Sequence, residues 1–182
     1  KNEYSTKFEV FAAAKEAKLN VGVLSALIQA GALEGFKQSR SKVVLEAQLW
    51  NVLHVKEKKF AMKFADKFNH DLIEIVKHLK TFQDEKGKIV IPESRYETIK
   101  KKYLPFKEIY DLNSKSEFFA NWYYEKHLLG YTYGKALKDI FINKSPDLIG
   151  LGEVCELPQR RKVTFIGTIV SKPALRTSKK GR

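Results

Sequence analysis

Residues 24–45 read LSALIQAGALEGFKQSRSKVVL, and this stretch decides how the rest of the chain is arranged. Apolar side chains at Leu24, Leu27, Ile28 and Ala30 recur at helical spacing, and Gly31 stands where a helix takes a left-handed C-terminal cap. A turn follows through Gly31, Ala32, Leu33, Glu34 and Gly35 to Phe36. Ser39 is then placed to cap a second helix through Val43, Val44, Leu45 and Leu49. The pattern predicts a helix, a hairpin and a helix. Unpaired N–H groups of the hairpin and of the second helix's first turn, helped by the helix dipole, favour a phosphate group. Gly31, Ala32, Leu33, Gly35, Lys37, Ser39, Arg40 and Lys42 are therefore the expected DNA contacts. Such contacts position a duplex without reading its bases. Glycine-turned helical hairpins also serve as plain packing units, so the pattern alone leaves both readings open.

The composition fits a polyanion partner. Of 182 residues, 34 are Lys or Arg and 21 are Asp or Glu, a formal charge of +13, so the summed field attracts nucleic acid or an acidic membrane surface. The excess is uneven: residues 151–182 hold eight Lys and Arg against two Glu, whereas residues 103–150 are balanced. With 43% hydrophobic residues the chain can bury one good core or two small ones. A single cysteine, Cys155, allows no internal disulfide and fits a reducing cytoplasm. No run of about 18 apolar residues is present to span a bilayer, and no charged-then-apolar leader opens the chain. Lys1 at the start and KKGR at the end give the expectation of a piece of something longer.

Working outward, Thr6 with Glu9 makes a capping box for a helix over residues 7–18, and Asn20 can cap the helix that ends at Gly31. Residues 40–80 read as almost continuous helix with a break near Asn69. Phe60, Phe64 and Phe68 lie at i, i+4 spacing, which suits either a core face or a base-stacking platform; the core face is the expectation, since such platforms are usually built on sheets and loops. DEKGKIVIP at Asp84 to Pro92 is a turn and a short extended piece. Ser94 with Glu97 should open a helix to about Tyr103, stopping before Pro105, and Ser114 with Glu117 should open another, ended by Gly130. From Gly150 the period changes. Leu151 to Leu157 and Lys162 to Val170 read as strands.

Catalytic chemistry is not visible in the chain. Two-metal nucleotidyl transfer needs converging carboxylates, often Asp-x-Asp, and the aspartates here are scattered. His54, His70, His78 and His127 show no metal-ligand spacing, and no phosphate-cradling G-x-x-x-x-G-K or nucleophile elbow occurs.

Three stretches carry a family resemblance. LIQAGALEGFKQSR at Leu27 to Arg40 resembles, without a gap, the "LIxxGAFDxxGxxR" segment of the C-family replicative DNA polymerases, the DNA polymerase III alpha subunits, where it forms a helix-hairpin-helix. EKHLLGYTYG at Glu125 to Gly134 resembles that family's "E(K/R)ELLGxYLSGHPL", and VTFIGTIVSKPALRTSKKGR at Val163 to Arg182 resembles the opening of its OB-fold. The order is the family's own. The resemblance implies a mainly α chain: residues 1–55 a helix-hairpin-helix DNA-binding region, residues 56–150 a helical linker or extension, and residues 151–182 the first strands of an incomplete OB-fold. Five strands are needed to close that barrel, so this portion cannot form it alone. It further implies double-stranded DNA backbone as partner, single-stranded template contacted by Arg176, Lys179 and Lys180, and other replisome subunits. The catalytic aspartates and their Mg²⁺ belong to the parent polymerase, so this chain holds no cofactor and is expected to be inactive alone. The family's clamp peptide of the Q-x-x-L-F kind is absent, since Gln83 is followed by DEKG, and no clamp contact is expected from it. The alternatives are a basic helical scaffold and a free-standing non-specific DNA-binding protein.

Overall fold

Local capping sets most of the helix boundaries. In the computed structural model, which describes residues 4–159 and 161–168, helix α1 (Lys7–Glu16) opens at a reciprocal cap. Thr6 Oγ1 accepts the Glu9 N–H at 3.3 Å and the Glu9 carboxylate accepts the N–H of Ser5 at 2.8 Å. Helix α2 (Val21–Gln29) opens where Asn20 Oδ1 accepts the Gly22 N–H at 2.7 Å. It closes with two bonds that run backward over the last turn, Ala32 N–H to Leu27 O at 3.0 Å and Gly31 N–H to Ile28 O at 2.9 Å. Gly31 makes this possible by adopting φ 98°, a left-handed conformation that glycine takes without steric cost. A 3₁₀ turn at Glu34–Phe36 and a left-handed Lys37, φ 52°, then lead to Ser39, whose Oγ accepts the Lys42 N–H and opens α3 (Arg40–Val52).

The expected long helix over residues 40–80 is broken twice. The break at Asn69, φ 49°, falls as expected, ahead of α5 (Leu72–Leu79), which Asp71 caps through the N–H of Ile73 and Glu74. The other break was not foreseen. Leu53 is extended and the His54 N–H is taken by the Glu57 carboxylate at 2.6 Å, so α4 (Val55–Lys63) starts afresh. After a turn in which the Asp84 and Lys88 main chains bond at 2.9 Å, α6 (Glu93–Asn113) runs straight through Pro105 instead of stopping at Tyr103. Proline removes one helical hydrogen bond. Helix α6 packs along α3 and continues past the proline, whose far side brings Phe106 to a cavity shared with Val44 and Leu45 of α3. Ser94 is not the cap of α6; Pro92 stands there with no side-chain bond. Nor does Ser114 cap α7 (Glu117–Leu129): Ser114–Ser116 form a 3₁₀ turn, and Glu117 turns its carboxylate onto α3. Gly130, φ 81°, ends α7 as expected.

Helix α3 is the axis of this first unit. Val43, Leu45, Ala47, Leu49 and Trp50 are buried around it, α2 and α6 pack along it, and Phe8 of α1 stacks on Trp50 with ring centres 5.4 Å apart. Phe60, Phe64 and Phe68 face this core, Phe64 meeting His78 edge-on at 4.9 Å. The chain divides into two compact units at Gly134.

In the second unit, α8 (Leu137–Phe141) precedes β1 (Leu148–Ile149), α9 (Leu151–Cys155) and β2 (Thr164–Phe165). Leu151 to Leu157, expected to be extended, is instead largely helical, because Glu153 folds back to accept the Gly150 N–H at 3.0 Å and nucleates a turn. Strands β1 and β2 pair in parallel, Leu148 with Thr164 and Ile149 with Phe165. The chain is thus mainly α with a very small parallel sheet. Arg176, Lys179 and Lys180 lie outside the described residues.

Pro105 offers a direct test of what holds α6. Its replacement by Ala restores a donor at an exposed site, and proline inside a helix costs about 3 kcal/mol relative to alanine. Pro105→Ala is expected to raise the urea midpoint, by about 1–3 kcal/mol in stability. An unchanged or lowered midpoint would mean that contacts of the proline ring outweigh the missing bond.

Candidate nucleic-acid interface

The hairpin between α2 and α3 is a surface feature, with Ala32, Gly35, Lys37 and Ser39 exposed and Gly31 and Leu33 half-buried. Its main-chain donors are largely spent. The N–H groups of Gly31, Ala32, Glu34, Phe36 and Lys37 all bond to carbonyls within the turn, at 2.9 to 3.3 Å. At the start of α3, Ser39 Oγ takes the Lys42 N–H, and Glu117 of α7 takes both the Ser41 N–H, at 3.2 Å, and the Ser41 hydroxyl proton, at 2.7 Å. A carboxylate therefore occupies the place where a phosphate was expected to complement the helix dipole.

Two of the expected phosphate ligands, Arg40 and Lys42, are engaged by carboxylates within the protein. Arg40 is only 6% exposed. Its guanidinium pairs with Glu34, donates to Glu125 Oε1 at 2.8 Å and to the Gln29 carbonyl at 3.0 Å, and reaches the Tyr133 hydroxyl at 2.9 Å. Every side of that fork has an acceptor, so it closes the hairpin from within. Lys42 pairs with Asp71, the cap of α5. Burial alone would lower the Lys42 ammonium, but the Asp71 contact outweighs it and the net shift is upward. Of the expected contacts, the exposed tip keeps Ala32, Gly35, Lys37 and Ser39 in one place.

The segment after α7 locks this arrangement. Tyr133 donates to the Ala30 carbonyl at 2.7 Å, and a Cβ on Gly31 would come within 1.7 Å of the same hydroxyl oxygen. Gly31 is thus required twice, by its backbone angle and by its neighbour. Glu125, 1% exposed, also accepts the N–H of Tyr133 at 3.0 Å and of Gly134 at 3.1 Å. Burial pushes its carboxyl up, but the Gly134 N–H, Arg40 and the Tyr133 N–H together hold it below its ordinary value of 4.5.

From the sequence Glu117 reads only as a capping residue, Glu125 and Tyr133 only as part of a matched stretch, and Asp71 has no role. One signal was available: Glu125 stands in an aromatic-rich helix three residues after Trp122, and a carboxylate on an apolar helix face needs a cation. Comparison with known proteins adds no relative, as no family model, no curated protein and no solved structure matches the chain.

Removing one partner of a buried ion pair typically costs about 3–5 kcal/mol, so Arg40→Ala should lower stability by that order in urea unfolding. A loss below about 1 kcal/mol would show that the fork is not a strut. Because Glu125 titrates lower folded than unfolded, its contribution is present above about pH 4.5 and lost as pH falls through its folded value. The stability gap between the parent and Glu125→Gln should therefore shrink on acidification below 4.5, which unfolding curves across pH 3 to 7 would follow, on the order of the carboxylate range.

Proposed function

We propose that this chain is part of a C-family replicative DNA polymerase alpha subunit, and that its hairpin tip holds duplex DNA by the sugar-phosphate backbone, without reading sequence. The observation that supports this most is the meeting of two separately matched stretches. Leu27 to Arg40 and Glu125 to Gly134 come together at the Arg40–Glu125 ion pair, 85 residues apart in sequence. Within the first stretch, the family's acidic position is Glu34 and its arginine is Arg40, and these two also pair. Its two glycine positions fall on Gly31 and Lys37, and both have positive φ, 98° and 52°. A backbone that favours glycine at both places fits the family's register, with Lys37 as the departure.

On this reading Arg40 and Lys42 brace the hairpin, and contact with DNA falls to Lys37, Ser39 and the open backbone at Gly35, where nothing lies within 4 Å of a built Cβ. The basic stretch that includes Arg176, Lys179 and Lys180 serves single-stranded template once the OB-fold is complete. The Mg²⁺ chemistry of nucleotidyl transfer belongs to the rest of the polymerase, and other replisome subunits are its partners.

A second reading, a structural helical module whose charge serves solubility, is favoured by one observation: Glu34, Glu117 and Glu125 all cover the start of α3. Fluorescence anisotropy with random duplexes separates the two. The polymerase reading expects binding at low salt, equal on unrelated sequences, with each neutralised phosphate contributing about 0.9 to the logarithmic salt slope. Lys37→Gly should reduce that slope by about 0.9 while stability holds or improves, since a left-handed non-glycine residue costs about 1–2 kcal/mol. No binding at low salt, or an unchanged slope in Lys37→Gly, would favour the structural module and remove the tip from the proposal.

A further inference from the structure

Away from the hairpin, residues of α1, α3 and α4 line an open cleft of about 410 Å³ that the reading above does not use. Lys58 of α4 sits 5.5 Å from the centre of the Trp50 ring, and its Nζ is buried with no hydrogen-bond partner among the described residues. Trp50 Nε1 is a second buried donor in the same condition. Lys15 of α1 stands beside the Lys58 ammonium, and both lysines line the cleft with Trp50. The nearest carboxylate on α4 is engaged elsewhere: Glu57 accepts Arg95 Nε at 2.7 Å and the His54 N–H at 2.6 Å. Glu16, on the rim, is exposed and forms none of the ion pairs among the described residues. Val55 and Met62, 68% and 42% exposed, form an apolar flank.

Lys15 and Lys58 line a mostly apolar cleft whose one acid is Glu16, and the buried Lys58 ammonium and Trp50 indole N–H keep donor capacity that buried groups rarely leave unused. We propose that this cleft binds an organic phosphate monoester, its phosphate held by Lys15, Lys58 and Trp50 Nε1 and its apolar body lying against Val55 and Met62. A phosphate dianion matches both ammonium groups, whereas a carboxylate neutralises one. Burial, and next the neighbouring Lys15, lower the Lys58 ammonium to about 8, the condition an arriving anion relieves. The site stands on α1, α3 and α4 alone and does not depend on the DNA reading.

Phenyl phosphate is the probe. In a Trp122→Phe background Trp50 is the remaining indole of the two, so its emission reports occupancy. The expected result is a saturable change in Trp50 emission with phenyl phosphate, displacement by inorganic phosphate at higher concentration, and benzoate binding at least about tenfold more weakly. Lys58→Gln and Lys15→Gln should each weaken phenyl phosphate about tenfold, Lys58→Arg should retain most binding, and Lys63→Gln should match the parent. Lys15 is exposed, so its variant tests the site even if Lys58→Gln does not fold. Equal binding of benzoate, or an undiminished affinity in Lys15→Gln, would overturn the proposal, as would the absence of any saturable response.

Discussion

The constraint on which the structure rests is that α3, its most enclosed helix, carries charge inside. Arg40 and Glu46 are both buried on it, and an ion taken out of water needs its counter-charge and hydrogen bonds supplied by the fold. Glu46 is fully buried, paired with Lys7 of α1, and accepts the Leu72 N–H of α5 at 3.0 Å. Desolvation dominates there: it pushes Glu46 up and Lys7 down in spite of their mutual attraction. Arg40 draws in Glu34 and Glu125, Ser41 draws in Glu117, and Gln48 reaches Ser25 at 3.0 Å. The other helices take their positions partly by answering these polar demands. Such groups add specificity more than net stability, because a helix docked in the wrong register would leave an ion alone.

The same bookkeeping explains what was legible beforehand. Features governed by neighbours in sequence were readable: the Thr6–Glu9 box, the Asn20 and Ser39 caps, the left-handed Gly31 and Gly130, and the break at Asn69. Features governed by distant groups were not. Pro105 predicts a stop, yet packing along α3 carries α6 past it. Ser114 and Glu117 spell a cap, yet Glu117 answers Ser41, 76 residues away. Helix α3 itself, RSKVVLEAQLWNV, shows no dominant apolar stripe, because it is buried around much of its circumference.

The candidate site follows that division. A hairpin was legible, and its exposed tip is where the sequence places it. The partners of Arg40 and Lys42 were not, since a basic residue next to a helix start looks alike whether it faces solvent or a carboxylate far along the chain. The tip is fastened by the Arg40–Glu34 pair and by Tyr133, which bonds the Ala30 carbonyl. On the proposed reading this favours the grip on a uniform backbone, because contacts fixed in advance lose less freedom on binding.

The Tyr133–Arg40 contact joins positions 93 residues apart, and this bears on how the chain is made. During synthesis the hairpin leaves the ribosome long before the strap that fastens it. Until then the guanidinium of Arg40 has Glu34 and the Gln29 carbonyl as partners and lacks Glu125 and Tyr133. A nascent chain that stops short of Glu125 and Tyr133 lacks two of the groups that answer this ion, which leaves its desolvation less compensated.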